Sequence, residues 1–301
     1  MKEMLRRIRA LPRKLRNRRR FSAMVAKGFP DGLVPVVEFL AFGNITGEVK
    51  TVAEAAEARR QEIASSDLSS MPILYSPKPG SAGADASVDA RPEPGESLPF
   101  TAEQIANTGK DRRWGTALHL IAKHTKRTKM IELGACAGIS GIYLGSIPTL
   151  ERFVTIEGSP PLANLATQSL ESIESTDVMC ALFDDAIDEL LRDPNRRFDM
   201  AYIDGHHEKV ATLHYYNRLL PRLDAGSVVV FDDISWSQDM RDCWTEVLRR
   251  PEVVHAVDFG IIGVCIVEPG ATGSHGKSSR KCWDLQPILG ETPIGQPRGW
   301  R

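Results

Sequence analysis

The sequence lacks long apolar runs and the apolar core of a secretory leader. No uncharged apolar stretch in its 301 residues reaches the roughly 18 residues that a bilayer span needs. These absences argue against a membrane-spanning helix and lead us to expect a cytoplasmic protein. With 42% hydrophobic and 26% charged residues, the composition is typical of a globular chain rather than a disordered or fibrous one.

Cysteine is scarce and widely spaced. The five cysteines are an odd number and include no C-x-x-C pair, so the sequence encodes neither a disulfide framework nor a zinc knuckle. We expect reduced thiols that are mostly buried. The residues concerned are Cys136, Cys180, Cys243, Cys265 and Cys282.

Positive charge is concentrated in the first thirty residues. The chain has a net charge of −1, but residues 1–30 hold eleven Lys or Arg against Glu3 alone, so residues 31–301 carry −11. The segment reads as a solvated arm, as an Arg-rich targeting peptide, or as an amphipathic helix that contacts an anionic membrane or nucleic acid. Among the readings in which the segment binds a partner, the amphipathic helix is favoured, because apolar residues recur at helical spacing at Leu5, Ile8, Leu11 and Leu15.

Composition divides the chain into five segments. The basic arm (1–30) is followed by a helical extension (31–75), with helix patterns at 33–42 and 52–63, and by a Pro/Gly/Ser-rich linker or loop (76–97). A regular α/β region occupies 98–269. Residues 270–301 are expected to be a loosely packed tail.

Strands and helices alternate in the α/β region. The pattern predicts a doubly wound, mostly parallel sheet with helices on both faces. The last two apolar runs are separated only by Gly260, which leaves no room for a crossover helix, so they must pair antiparallel. The predicted strands are 130–133, 152–157, 178–183, 198–204, 227–233, 253–259 and 261–267, and the helices between them are 139–147, 161–174, 185–192, 208–222 and 237–249.

Glycines and acids follow the strand ends, where open α/β sheets bind ligands. The first strand leads into a turn with Gly134, Gly138 and Gly141, which lets the backbone approach a ligand. Glu157 ends the second strand, where an acid accepts hydrogen bonds from ribose hydroxyls. Together these features predict a nucleoside-containing cofactor.

Further acids follow the third, fourth and fifth strands. After the third, Asp185 rather than Asp184 could accept from an adenine amine, although helix capping explains either acid. Asp204, Asp232 and Asp233 would meet at one sheet edge and offer hard oxygen ligands for Mg²⁺ or Ca²⁺. Adjacent carboxylates repel one another unless a cation or proton offsets their charge, so a bound metal ion would explain the Asp232-Asp233 pair. The alternative explanation is that Asp233 caps the N-terminus of a helix.

These motifs resemble those of the class I S-adenosylmethionine-dependent methyltransferases, and most closely the branch of catechol O-methyltransferase and the metal-dependent sugar and macrolide O-methyltransferases. The resemblance covers roughly residues 100–268, through MIELGACAGIS, FVTIEGSP, DDAIDELL, FDMAYIDGHHE and GSVVVFDDISW. It implies a seven-stranded, Rossmann-like fold with a reversed C-terminal hairpin. It also implies transfer of the methyl group of S-adenosyl-L-methionine to a hydroxyl of a small molecule or sugar, with assistance from Mg²⁺ or another divalent cation.

The resemblance assigns roles to individual residues. Gly134 and Gly138 would line the methionine moiety and Ser140 would hold its carboxylate, while Glu157 takes the ribose and Asp185 the adenine. Cys136 stands where a further Gly is more usual. The remaining residues expected near the cofactor are Glu132, Cys136 and Asp204.

The same relatives imply a divalent cation on Asp204, Asp232 and Asp233. Catechol O-methyltransferase has Asn at the position of Asp233, whereas the sugar-type enzymes keep Asp. His206 stands where the sugar-type enzymes have an acidic general base, and an imidazole can take a hydroxyl proton near neutral pH. His207 is its rival, and a surface or capping role would explain either histidine without catalysis.

Two other functions fit parts of the sequence. An NAD(P)-dependent oxidoreductase also combines a glycine turn with a strand-two acid, but this turn lacks the middle Gly of G-x-G-x-x-G. A non-catalytic binding module on the same fold could dock through its basic arm, although the intact acids argue against a dead site. The sequence identifies neither the methyl acceptor nor the oligomeric state.

Overall fold

The computed structural model describes residues 2–43, 45, 47–68, 71–74, 97–270 and 281–290. The helices predicted at 33–42 and 52–63 are confirmed as α2 and α3. The predicted linker at 76–97 lies outside the described residues, except for Ser97, where a strand begins. The N-terminal elements are α1 (Lys2–Ala26), α2 (Val34–Phe42), α3 (Gly47–Ala64), β1 (Met71–Leu74) and β2 (Ser97–Phe100), and the two strands pair antiparallel.

The basic segment is a helix that docks onto the rest of the molecule. Phe21 near its end, and Phe29 just beyond it, are buried in the main apolar core. The Asn17 side-chain amide donates to the backbone oxygen of Ile288 over 2.8 Å. Leu15 is 55% exposed, so it does not pack into that core. Contact of this helix with an anionic surface stays a prediction.

Eight strands form the main sheet, in the order β10-β8-β9-β7-β6-β3-β4-β5. The strands from β7 to β5 run parallel, and β9 runs antiparallel to both of its neighbours. The predicted parallel sheet with a reversed hairpin is therefore confirmed. The strands are β3 (Lys129–Leu133), β4 (Arg152–Glu157), β5 (Thr176–Cys180), β6 (Phe198–Ile203), β7 (Leu223–Phe231), β8 (Val253–Asp258), β9 (Gly263–Val267) and β10 (Lys281–Asp284).

The eighth strand corrects the expectation of seven strands followed by a loose tail at 270–301. β10 pairs in parallel with β8, and Leu285 and Ile288 after it are buried. The sequence of β10, KCWD, has no clear apolar alternation, so period-two reasoning could not detect it. The predicted strand at 178–183 also ends earlier, because α8 already begins at Phe183.

Helices cover both faces of the main sheet, and the sheet separates two apolar cores. Alternation along β3 shows the division: Ile131 and Leu133 face α8, α9 and α10, whereas Met130 faces the core that contains α5 and α6. The remaining helices are α4 (Ala102–Thr108), α5 (Arg112–His124), α6 (Ile139–Gly145), α7 (Pro160–Leu170), α8 (Phe183–Leu191), α9 (Lys209–Leu219), α10 (Gln238–Val247) and α11 (Gln286–Leu289).

Two whole-chain expectations can be compared with the described residues. No single described helix is long and apolar enough to cross a membrane, although the bent pair Asp31–Phe42 and Gly47–Ala64 meets the length and composition test jointly. All five cysteines lie within the described residues, and none of them forms a disulfide there. Cys243 and Cys265 are buried, but Cys180 and Cys282 are exposed, so the expectation of mostly buried thiols is only partly confirmed.

Candidate active site

The loop between β3 and α6 depends on left-handed backbone conformations. Gly134, Cys136 and Gly138 have φ angles of 106°, 48° and 79°. A Cβ atom at Gly134 would lie 1.9 Å from the backbone oxygen of Asp204, so the loop passes the end of β6 too closely for any side chain. Cys136 adopts a conformation that is uncommon for a residue with a side chain. The sequence GACAG therefore turns tightly at the carboxyl edge of the sheet.

Glu157 closes this loop from the end of β4. Its Oε2 accepts a hydrogen bond from the Cys136 N–H over 2.9 Å, and its Oε1 accepts one from the Ser159 N–H over 2.8 Å. Burial raises the pKa of Glu157, and the backbone N–H groups oppose that rise. Each carboxylate oxygen has two lone pairs and can accept a further hydrogen bond. The geometry fits an acceptor for a ligand's hydroxyl groups.

Glu132 and Ser140 contact each other on the face of the sheet. Glu132 lies within β3, and its Oε2 accepts a hydrogen bond from the Thr155 hydroxyl over 2.6 Å. Ser140, on α6, hydrogen-bonds the same carboxyl group. Burial raises the pKa of Glu132 to about 7. The Ser140 side chain expected to hold a ligand carboxylate is thus engaged with Glu132.

The two acids at the start of α8 have different surroundings. Asp184 Oδ1 lies 2.7 Å from His214 Nε2 and 2.6 Å from Arg218 Nη1, both on α9. Asp185 is exposed in the first turn of α8. The pairing of Asp184 leaves Asp185 as the candidate for adenine contact, as preferred from the sequence.

The ends of β6 and β7 bring together Asp204, His207 and Asp232. One possible ligand atom from each lies within 4.8 Å of the others. The Tyr202 hydroxyl donates to Asp204 Oδ2 over 2.7 Å. The Asp232 side chain has no exposed surface, and burial raises the pKa of both Asp232 and Asp204. Asp233 follows in a left-handed conformation, with φ 47°.

Lys110, which the sequence analysis missed, places its ammonium group among these acids. Its Nζ contacts Asp232 Oδ2 and lies 3.1 Å from Asp233 Oδ1. Burial by itself would lower the pKa of Lys110, but the charges of the nearby aspartates outweigh that effect and raise it, so the group is a cation. Lys110 precedes Asp233 by 123 positions and lies in a loop between two helices, where no strand-end rule applies.

The two histidines after Asp204 face different neighbours. His207 Nε2 lies 3.7 Å from Asp204 Oδ1, and its ring centre is 5.9 Å from that of Trp236. His206 instead stacks against Tyr215, whose hydroxyl lies 3.1 Å from His206 Nδ1. His207 is therefore the histidine beside the acids, whereas His206 packs against α9, and the identity of the base stays a prediction.

Comparison with protein families gives a match over this part of the chain. Residues 131–234 match the model of a methyltransferase domain family. The matched segment runs from β3 to the turn after β7 and includes Gly134, Glu157 and Asp232. No curated protein sequence matches the chain significantly.

Solved structures of methyltransferases resemble this fold. A methyltransferase from Podospora anserina bound to S-adenosylhomocysteine has a TM-score of 0.50 at 13% identity, over 80% of this chain and 97% of that one. An O-methyltransferase of tomaymycin synthesis from Streptomyces achromogenes, in complex with S-adenosylmethionine, has a TM-score of 0.47 at 22% identity, over 53% and 82%. An O-methyltransferase from Bacillus cereus in complex with S-adenosylhomocysteine has a TM-score of 0.46 at 16% identity, over 76% and 94%.

At these identities the likeness concerns the fold. The parallel strands and the reversed hairpin agree with the alternation of strands and helices and with the short Gly260 link in the sequence. Residues 131–234 are thus similar in sequence to a methyltransferase domain, and the sheet that contains them resembles the fold of the Podospora anserina methyltransferase.

Proposed function

We propose that this chain transfers the methyl group of S-adenosylmethionine to a hydroxyl oxygen of a small molecule. The supporting observation is Glu157, whose buried carboxylate is held by two backbone N–H groups beside the Gly134–Gly138 turn. A carboxylate fixed in this way can accept both ribose hydroxyls without a conformational change. Asp185, exposed at the neighbouring strand end, would accept from the adenine amine.

The reaction requires the residues to position an acceptor oxygen and remove its proton. S-adenosylmethionine supplies a methyl carbon whose bond to sulfur breaks as its bond to the acceptor oxygen forms, leaving a neutral thioether. In this proposal His207 takes the hydroxyl proton at Nε2, and the carboxylate of Asp204, 3.7 Å away, stabilises the imidazolium that forms. Trp236 beside His207 would form one wall of the acceptor site.

The sequence also predicts that a divalent metal ion assists methyl transfer. The oxygen and imidazole donors of Asp204, His207 and Asp232 are of the right kind and spacing for Mg²⁺ or Mn²⁺. However, the ammonium of Lys110 already contacts Asp232 and Asp233, two of the three predicted ligands. The donor atoms alone suit a divalent ion, but with the ammonium between the acids the arrangement does not accommodate such an ion as well.

Calorimetric titration of S-adenosylhomocysteine into the full-length protein tests the proposal. We expect saturable binding by the wild type, and a loss of affinity of about tenfold or more in Glu157→Gln, because a charged acceptor of two hydroxyl bonds contributes about 1.5–3 kcal/mol. The Gln side chain keeps the shape of Glu157, so the surrounding loop is retained.

The matched control is Glu171→Ala, which removes an exposed glutamate at the end of α7 and should bind like the wild type. Titration of NAD(H) tests the oxidoreductase alternative on the same samples. Wild-type protein that binds NAD(H) in preference to S-adenosylhomocysteine, or Glu157→Gln that binds as tightly as the wild type, would contradict the proposal.

A further inference from the structure

The acid cluster at the ends of β6 and β7 contains a cation supplied by the chain itself. We propose that the ammonium of Lys110 is the resident cation of the cluster formed by Asp204, Asp232 and Asp233, and that it takes the place a divalent metal ion would have there. The proposal rests on the proposed function in one respect, namely that the acceptor hydroxyl binds at this cluster.

The contacts of Lys110 are those of a bound cation. Its Nζ contacts the fully buried carboxylate of Asp232 and lies 3.1 Å from Asp233 Oδ1. The Lys110 side chain is 14% exposed. An ammonium group is a compact charge with three N–H donors, which suits several carboxylates at once. One N–H donates to Asp233 Oδ1, the contact with Asp232 is an ion pair, and a further N–H can donate to an acceptor oxygen.

The loop that carries Lys110 is fixed on its C-terminal side by a helix cap. Asp111 is the N-cap of α5, and its Oδ1 accepts a hydrogen bond from the Trp114 N–H over 2.9 Å. The backbone oxygen of Asp111 accepts another from the Gly115 N–H over 2.8 Å. Lys110 thus directly precedes a residue whose position is set by α5.

On the other side, α3 holds the same loop through Arg60. Its guanidinium donates to the backbone oxygens of Ala106 and Lys110, and lies 3.4 Å from that of Gly109. Arg60 Nε is oriented by Glu57 Oε1 at 3.3 Å. With the backbone held on both sides, the ammonium is placed in the cluster by the fold. Removing it would leave Asp232 buried with no cation beside it, so that the acid would need a proton or another cation.

A divalent ion and this ammonium cannot share the cluster without strong repulsion. An ion bonded to an oxygen of Asp232 would lie within a few ångströms of Lys110 Nζ, where like charges in a water-poor site repel strongly. Because the ammonium is covalently part of the chain, it is present at every stage of turnover. Methyl transfer at this site then needs no added metal.

Titration of MnCl₂ into the full-length protein, after dialysis against a chelator, tests the proposal directly. We expect the wild type to show no saturable site tighter than about 1 mM, and Lys110→Met to bind Mn²⁺ at least about tenfold more tightly, because the acids then need a new cation. Lys110→Arg keeps the positive charge and should resemble the wild type.

The matched control is Lys123→Met, which removes a lysine of α5 that pairs with Glu48 over 2.6 Å outside the cluster. It should bind Mn²⁺ no better than the wild type. A wild-type Mn²⁺ site of about 0.1 mM or tighter that Asp232→Asn abolishes would overturn the proposal. So would a folded Lys110→Met protein, verified by thermal melting, that gains no affinity.

S-adenosylhomocysteine binding is measured on the same samples, so the two proposals fail separately. If the wild type binds neither S-adenosylhomocysteine nor Mn²⁺ while Lys110→Met gains the metal, the methyltransferase proposal fails and the resident cation is supported. The wild-type titration decides the matter even if Lys110→Met does not fold.

Discussion

The two halves of the candidate site are built in different ways. The cofactor half, at the ends of β3 and β4, uses backbone groups that are close together in sequence, with Glu157 bound to the N–H groups of Cys136 and Ser159. The acceptor half, at the ends of β6 and β7, assembles charged side chains from distant parts of the chain, including Lys110. The first half is therefore specified by backbone geometry and the second by charge balance.

This difference predicts different sensitivities to substitution. The cofactor half should tolerate changes of charge around it but no added volume in its tight turn. The acceptor half should depend on residues that touch neither the cofactor nor the acceptor, since α3 holds the loop of Lys110.

The largest effect is expected at Gly134, where the cofactor half depends on the absence of a side chain. Gly134→Ala should destabilise the protein by about 4 kcal/mol, because its Cβ meets a backbone oxygen that cannot rotate away and because φ is positive. Urea unfolding measures the change. The control Gly226→Ala has φ 77° and open space around the Cβ, so it should cost about 1 kcal/mol. Equal losses in both variants would show that the close approach to Asp204 contributes nothing.

A smaller effect is expected at Arg60, which tests the acceptor half. Arg60→Ala should lower stability by about 3 kcal/mol, because it removes charge-assisted hydrogen bonds to backbone oxygens of a part-buried loop. S-adenosylhomocysteine affinity should stay within about twofold of the wild type, since Glu157 is untouched. The control is Arg59→Ala, whose Nε bonds one hydroxyl, that of Ser169, and which should lose about 1 kcal/mol. A strong loss of S-adenosylhomocysteine binding in Arg60→Ala would mean that the two halves are not independent.

The smallest effect concerns the pH dependence of stability through Glu132. Burial raises the pKa of Glu132 to about 7 from an ordinary value of 4.5. The folded state therefore holds this proton more tightly than the unfolded state, so its contribution is complete below pH 4.5 and is lost as the pH rises through 7. Glu132→Gln cannot titrate, and between pH 5 and 8 the wild type should lose about 2 kcal/mol more than this variant does.

Urea unfolding at several pH values measures that difference between the two proteins. Glu151→Gln alters an exposed glutamate whose side chain is 61% accessible, and its stability should follow the wild-type pH profile. Parallel profiles for the wild type and Glu132→Gln would place the Glu132 pKa near its ordinary value in the folded state.

The sequence predicted what depends on local patterns. Apolar runs with glycines and acids at their ends placed the parallel strands, the reversed hairpin and Glu157, because these follow from period-two alternation and from where strands stop. The four-residue strand β10 was not predicted, because its sequence KCWD has no such alternation. Lys110 was not predicted as a site residue for another reason. Its place among the acids depends on tertiary contacts with Asp232 and Asp233, and a lysine before a helix cap has no distinctive sequence signature.

The different surroundings of His206 and His207 could not be predicted from the sequence either. Both residues have positive φ angles, of 60° and 46°, so the chain turns sharply after β6 and sends the two side chains in different directions. Adjacent histidines in a regular strand would face opposite sides by simple alternation. In this turn alternation does not apply, and the aromatic contact with Tyr215 determines where His206 goes.

The short strand β10 also affects how the sheet meets other molecules. By pairing with β8 it occupies backbone groups along that six-residue strand, which could otherwise template the addition of a foreign chain. Among the described residues, the edge on this side is a strand of four residues, bearing Lys281 and Asp284. Short, charged edges of this kind are poor nuclei for sheet-to-sheet aggregation. β10 thus replaces the longer strand β8 as the edge of the sheet and so lowers the chance that another chain pairs there.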